Sequence, residues 1–230
     1  MDELDEFSEH REPRMPGQHF GAWVREHRIV ILYGLMLVAV LFARDLWAPD
    51  EPDFAQCVRE MRERGSWLLP YLNGHPYSEK PILFYWLMKL SAVMGDGLTG
   101  GAGFTRGIAA WALRVPSVAG SIAFLFAFRA WAKRFLQRDV ADLAALILCA
   151  TPLWFWQSQF IQIDLVFSAM LAWAWLSWLA GYLLLRGHAE GSPDEHRGWF
   201  SSCYFWMGLA VLAKGPLAII LSAPLLLAFL

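Results

Sequence analysis

An all-α bundle of membrane-spanning helices is the architecture this sequence predicts, and three observations carry it. The chain is 57% hydrophobic and only 17% charged over 230 residues, too little charge to cover a soluble domain of that size. Apolar runs of about eighteen residues or more recur along it, the length that crosses a bilayer core. Basic residues gather at alternate ends of those runs, as the positive-inside rule requires of a multi-pass protein.

Each element then follows in chain order. Residues 1–28 open with Asp2, Glu3, Asp5 and Glu6 and continue through Pro13, Pro16 and Gly17, which predicts a disordered cytoplasmic tail. The first span is expected over Ile29 to Trp47. It is a retained anchor and not a signal peptide, because a polar stretch precedes it and no small-residue cleavage site follows. Arg25, His27 and Arg28 abut it, so the tail lies inside and residue 48 onward outside.

The segment 48–113 reads as a long outer loop. Within Asp53 to Arg64, Phe54, Ala55, Val58 and Met61 form one apolar stripe of a short helix, with Arg59, Arg62 and Arg64 on its polar side. Gly65 stops that helix, and Asn73-Gly74 marks a turn. Pro81 to Met94 is too short to cross a bilayer and carries Lys89. It is expected as an interfacial helix, with Trp86 and Lys89 at headgroup level. The glycine-rich stretch Gly95 to Gly107 is a flexible link to the next span.

Further spans are expected at 114–132, 140–160, 165–185 and 199–213, with a sixth beginning at Leu217. Parity supports the non-crossing reading of 81–94. It places Arg129, Lys133, Arg134, Arg138, Arg186 and Arg197 inside, whereas a crossing there would put the basic cluster outside. The chain stops inside the run Leu217 to Leu230, so an amino-terminal fragment of a longer protein is expected. Residues 29–230 then form one incomplete transmembrane domain.

Several function classes are excluded early. A net charge of −2 gives no global basic field for nucleic acid. Three cysteines without CxxC spacing offer neither a disulfide framework nor a zinc knuckle, and the six histidines are scattered. No P-loop, dinucleotide-binding glycine pattern or Ser/His/Asp order occurs.

The same parity gathers Asp50, Glu51, Glu79, Lys80, Asp164 and Lys214 on the outer face. Asp50-Glu51 beside a bilayer suits a general base or a cation site, though either acid could equally cap the helix that begins at Pro52. Lys80, ahead of Pro81, could hold a phosphate at a helix start or simply snorkel. Asp164 is an ionisable group near membrane depth, otherwise a helix cap. Lys214-Gly215-Pro216 reads as a helix break with a lysine at the interface.

Taken in order, Asp50-Glu51, Arg59-Glu60-Met61, Trp67-Leu-Leu-Pro70, Leu72-Asn73-Gly74, Tyr77 and Glu79-Lys80-Pro81 resemble the first outer loop of bacterial GT-C glycosyltransferases. The likeness is to the ArnT-like and protein O-mannosyltransferase-like group, glycosyltransferase family 39 and its relatives. Arg114-Val-Pro-Ser117, Asp164 and Lys214-Gly215-Pro216 continue the pattern, which covers about Trp47 to Pro216.

The resemblance implies a GT-C membrane bundle in the bacterial inner membrane with its site facing outward. It implies a sugar donor on polyprenyl phosphate and a lipid, protein or glycan acceptor, with no nucleic acid. Asp50 would be the catalytic base and Asp164 a second catalytic carboxylate; Glu51, Tyr77, Lys80 and Lys214 would bind substrate. Glu79 matches a metal-coordinating position in some relatives, so a divalent metal stays open as a cofactor. Asp53 departs from the pattern, standing where many relatives carry Arg. The rival readings are a transporter or flippase, since charges at membrane depth also mark ion paths, and a noncatalytic scaffold.

Overall fold

The computed structural model describes residues 16–228 except 44, 48, 100–108 and 193. The acidic start of the tail, Arg106 and most of the glycine-rich link therefore lie outside the described residues. Helix α1 covers Pro16–Leu41, so the ordered helix begins well before Ile29, inside the segment expected as tail, and ends short of Trp47. From Glu26 onward it runs antiparallel to α4 (Ala110–Phe135). Glu26 pairs with Lys133 near one end, Tyr33 meets Ser121 in the middle, and Phe42 meets Trp111 at the other end.

Between them, α2 (Asp50–Glu63) buries Phe54, Cys57, Val58 and Met61, the expected apolar stripe. Gly65, at φ +66°, follows its C-cap in the left-handed conformation glycine adopts most easily. Strands β1 (Tyr71–Leu72) and β2 (His75–Pro76) pair antiparallel across Asn73-Gly74, both at positive φ, which is the two-residue turn that asparagine and glycine favour. Glu60, reaching up from α2, accepts the Gly74 amide and holds this hairpin down.

Helix α3 (Leu83–Thr99) lies across one end of the bundle. Leu83 packs with Ala213 and Ala218, while Gly95 meets Ala112 and Trp111, and all four neighbours belong to that same end. Leu83–Gly95 is a shorter apolar helix than the candidate spans α4 and α7. Lys89 departs from expectation. It is 5% exposed and does not snorkel: its Nζ donates to the carbonyls of Met61 and Ser66 and sits 3.9 Å from the Trp67 ring centroid. Those carbonyls lie at and just beyond the α2 C-terminus, where helix acceptors lack intrahelical donors. Replacing Lys89 by Met keeps most of the volume and strips those donors, and should cost about 1–3 kcal/mol of stability. A thermal melt lower by several degrees checks it; an unchanged melt would show that the buried ammonium contributes nothing.

The sequence-predicted span 140–160 is two helices. α5 (Arg138–Ala150) and α6 (Pro152–Ser158) meet at a 63° bend, because Pro152 cannot donate to the α5 ladder and starts a new helix at its own first position. α7 (Ile163–Leu185) and α8 (Glu195–Lys214) follow as an antiparallel pair. Gly181 lets Phe200 approach so closely that a Cβ there would lie 2.9 Å from the ring. α9 (Leu217–Ala228) returns along α8 after a break at Gly215.

Among the described residues, α4 and α7 are each long and apolar enough to cross a bilayer, and α5 with α6 makes a third crossing if taken as one bent span. Leu37 of α1, Leu125 of α4, and Leu165 and Ala174 of α7 are fully buried between the helices. The chain is part of an integral membrane protein.

Candidate active site

The charged groups sort to opposite ends of the bundle. At one end, Lys133 pairs with Glu26, Arg129 with Asp142 and Arg134 with Glu195. The other end carries α2, the hairpin, α3, the α6–α7 joint and the α8–α9 break. Asp50, Glu51, Tyr77, Glu79, Lys80, Asp164 and Lys214 all fall at this second end.

Asp50 is the first residue of α2 and is exposed. The N-cap is Pro49, with no side-chain cap hydrogen bond, so neither acid plays the capping role that was the alternative for Asp50-Glu51. Glu51, one residue on, turns inward and is 2% exposed. Its Oε1 accepts from Arg114 Nε at 3.0 Å and from the Ile161 amide at 2.8 Å. Its Oε2 accepts from Arg114 Nη2 and from the Trp47 amide, both at 2.7 Å.

Arg114 is 0% exposed and also donates to the Asp45 carbonyl. Burial pushes the Glu51 carboxyl up, but the Arg114 hydrogen bonds and the two amides outweigh it and hold the group below the ordinary carboxylate range. Removing one partner of such a buried pair costs about 3–5 kcal/mol, because the survivor is left charged and unpaired. Glu51, expected to bind substrate, has both carboxylate oxygens engaged by these donors.

Tyr77 packs on the cluster of Phe54, Cys57 and Met61, and its hydroxyl donates to Glu79 Oε2 at 3.0 Å. Burial first, then the Glu79 carboxylate, push the Tyr77 hydroxyl up to about 12, so it stays a donor at any physiological pH. Glu79 is exposed and Lys80 half-buried, in a bend just ahead of α3. The helix begins at Leu83, so Pro81 precedes it and does not occupy its first position. Asp164, in the first turn of α7, forms an ion pair with Lys214 at the end of α8, and both side chains remain partly open to solvent. Gly215 at φ +73° and ψ −155°, a conformation open in practice only to glycine, ends α8 directly after Lys214.

Shared neighbours tie these groups together. Glu51 holds Ile161, three residues before Asp164. Leu83, three residues after Lys80, packs against Ala213, beside Lys214. Below them an apolar cavity of about 490 Å³ runs from Leu87 between α4 and α7, past Pro116, Gly120, Val166, Met170 and Trp173.

Glu79 is the residue expected to hold a metal, and it brings one carboxylate. Among the described residues no group of three His, Cys, Asp or Glu side chains converges as a metal site. Two residues that hold this end together were missed at sequence level, Arg114 and Lys89. The available signal was the same for both: an ionisable group inside an apolar run needs a partner.

No family model matches the chain. It is 30% identical over 207 residues to the undecaprenyl phosphate-alpha-4-amino-4-deoxy-L-arabinose arabinosyl transferase of Serratia proteamaculans, covering 83% of this chain and 34% of that one. The Yersinia enterocolitica protein of the same name is 29% identical over 194 residues, covering 83% and 32%. The crystal structure of ArnT from Cupriavidus metallidurans bound to undecaprenyl phosphate superposes with a TM-score of 0.73 at 25% identity, over 88% of this chain and 35% of that one. In sequence and in fold the chain is similar to the ArnT-like group of the GT-C superfamily. It spans about a third of the length of these ArnT relatives. The all-α GT-C bundle expected from sequence is therefore the fold, and the broken α5–α6 pair and the short α3 are parts of this ArnT-like region.

Proposed function

We propose that the protein to which this chain belongs is an integral membrane glycosyltransferase that moves a sugar from a polyprenyl-phosphate donor to a lipid, protein or glycan acceptor. The names of its relatives favour a pentose carried on undecaprenyl phosphate as the donor. The observation that carries the reading is the gathering of an exposed acid, Asp50, with Lys80 and the Asp164–Lys214 pair at one end of the bundle.

In this reading Asp50 takes the proton from the acceptor hydroxyl as that oxygen attacks the anomeric carbon. The bond from that carbon to the phosphate oxygen breaks, and Lys80 stabilises the departing polyprenyl phosphate. Asp164, held by Lys214, shapes the acceptor side. The apolar cavity bordered by Leu87 and Trp173 takes part of the polyprenyl chain. Asp53 is exposed in the first turn of α2 and adds a negative charge that disfavours phosphate, so Lys80 acts together with Arg59, Arg62 or Arg106, or the donor is held differently from that of relatives with Arg at this position.

The site end faces outside the cytoplasm of a bacterial inner membrane and the basic end faces inside. Cysteines placed singly at positions 50 and 164 should therefore both react with an impermeant thiol reagent from the outer side; labelling from opposite sides would dismantle the site. The activity is tested with the full-length protein in liposomes, supplied with a synthetic polyprenyl-phosphate pentose and lipid A. A covalent pentosyl product is expected. Movement of the donor across the bilayer without any product would instead support a flippase.

A further inference from the structure

We infer that Glu51 and Arg114 form a positioning pair that fixes Asp50 relative to Asp164, neither of them touching substrate. This rests on the reading of Asp50 as the base. Separate parts of the chain converge on the pair: the α1–α2 connection through the Asp45 carbonyl and the Trp47 amide, the start of α2 through Glu51, α4 through Arg114, and the α6–α7 joint through the Ile161 amide. Asp50 lies one residue from this junction and Asp164 three residues beyond Ile161, so both carboxylates are placed by it.

A second tie reinforces the first. Ser117, three residues after Arg114 on the same face of α4, accepts the neighbouring Gln162 amide at 3.2 Å. The chemistry demands these residue types. The planar arginine fork serves both Glu51 oxygens while a further N–H reaches Asp45, which a lysine cannot reproduce. The pair also has a fixed sense, because Trp47 and Ile161 present N–H groups that require an acceptor and would repel a guanidinium.

The full-length protein in nanodiscs provides the test, as Arg114→Lys, Glu51→Gln and the exchange of the two residues. Two quantities are read: hydrogen exchange at the Trp47 and Ile161 amides, and kcat and KM for a synthetic polyprenyl-phosphate pentose. In each variant those two amides should exchange about tenfold faster or more, while amides of mid-α7 keep their protection. In both single variants kcat should fall about thirtyfold or more, with the donor KM within about threefold. The exchanged pair should rescue neither quantity.

Unchanged exchange at both amides overturns the positioning role, as does rescue by the exchanged pair. Loss of protection throughout α7 would mark a general folding role instead. If a single variant fails to insert, the other still decides. If the wild-type protein transfers no sugar, the transferase reading fails while amide exchange still settles the pair.

Discussion

Asp50→Asn in the full-length protein is expected to lower sugar transfer by roughly a hundred- to ten-thousand-fold, the range a positioned general base contributes. The change removes the ability to take a proton and keeps the shape. Asp50 is exposed at the first position of α2 and makes no cap hydrogen bond, so folding should hardly notice it. Membrane insertion and the thermal melt should stay at wild-type values while product formation collapses. Transfer within about threefold of wild type would remove Asp50 from the role of base and leave the fold assignment untouched. The neighbouring Glu51→Gln differs in kind, because it acts on a buried ion pair and exposes the Trp47 and Ile161 amides.

Lys80→Ala is the second large effect. Removing one donor aimed at developing negative charge costs about 10²–10³ in kcat, and a site beside lipid screens that charge poorly. Lys80→Arg should recover a good part of the rate, because the cation survives. Single-turnover measurements with a polyprenyl-phosphate pentose would separate chemistry from donor binding. Equal rates for Lys80→Ala and wild type would mean that another cation meets the phosphate. Lys214 is a poor substitute, since it is already paired with Asp164.

Much of this was legible from residue order alone. Apolar runs located α4, α7 and α8, alternating basic flanks separated the two ends, and Asn73-Gly74 marked the hairpin turn at its observed place. The break at Thr151-Pro152 was also written in the chain, but run length alone concealed it within 140–160. Arg114 and Lys89 were harder. Whether a charge is buried depends on a partner supplied by another element: Glu51 lies 63 residues from Arg114, and the Met61 carbonyl lies 28 residues from Lys89. No local pattern encodes such a meeting. The inward turn of Glu51 was hidden in the same way, because three of its four donors come from residues 63 and 110 positions away.

Lys89 also bears on how the protein is made. In the topology proposed above, α3 is an apolar helix of 17 residues that passes the translocation channel without stopping there. A lysine near the centre of a candidate segment disfavours insertion by about 2.5–3.5 kcal/mol, enough to tip so short a stretch toward passage. The ammonium that later satisfies the Met61 and Ser66 carbonyls thus first acts as a signpost during synthesis. Were α3 to lodge as a span, α4 and every helix after it would enter the bilayer upside down, and Asp50 and Asp164 would finish on opposite sides.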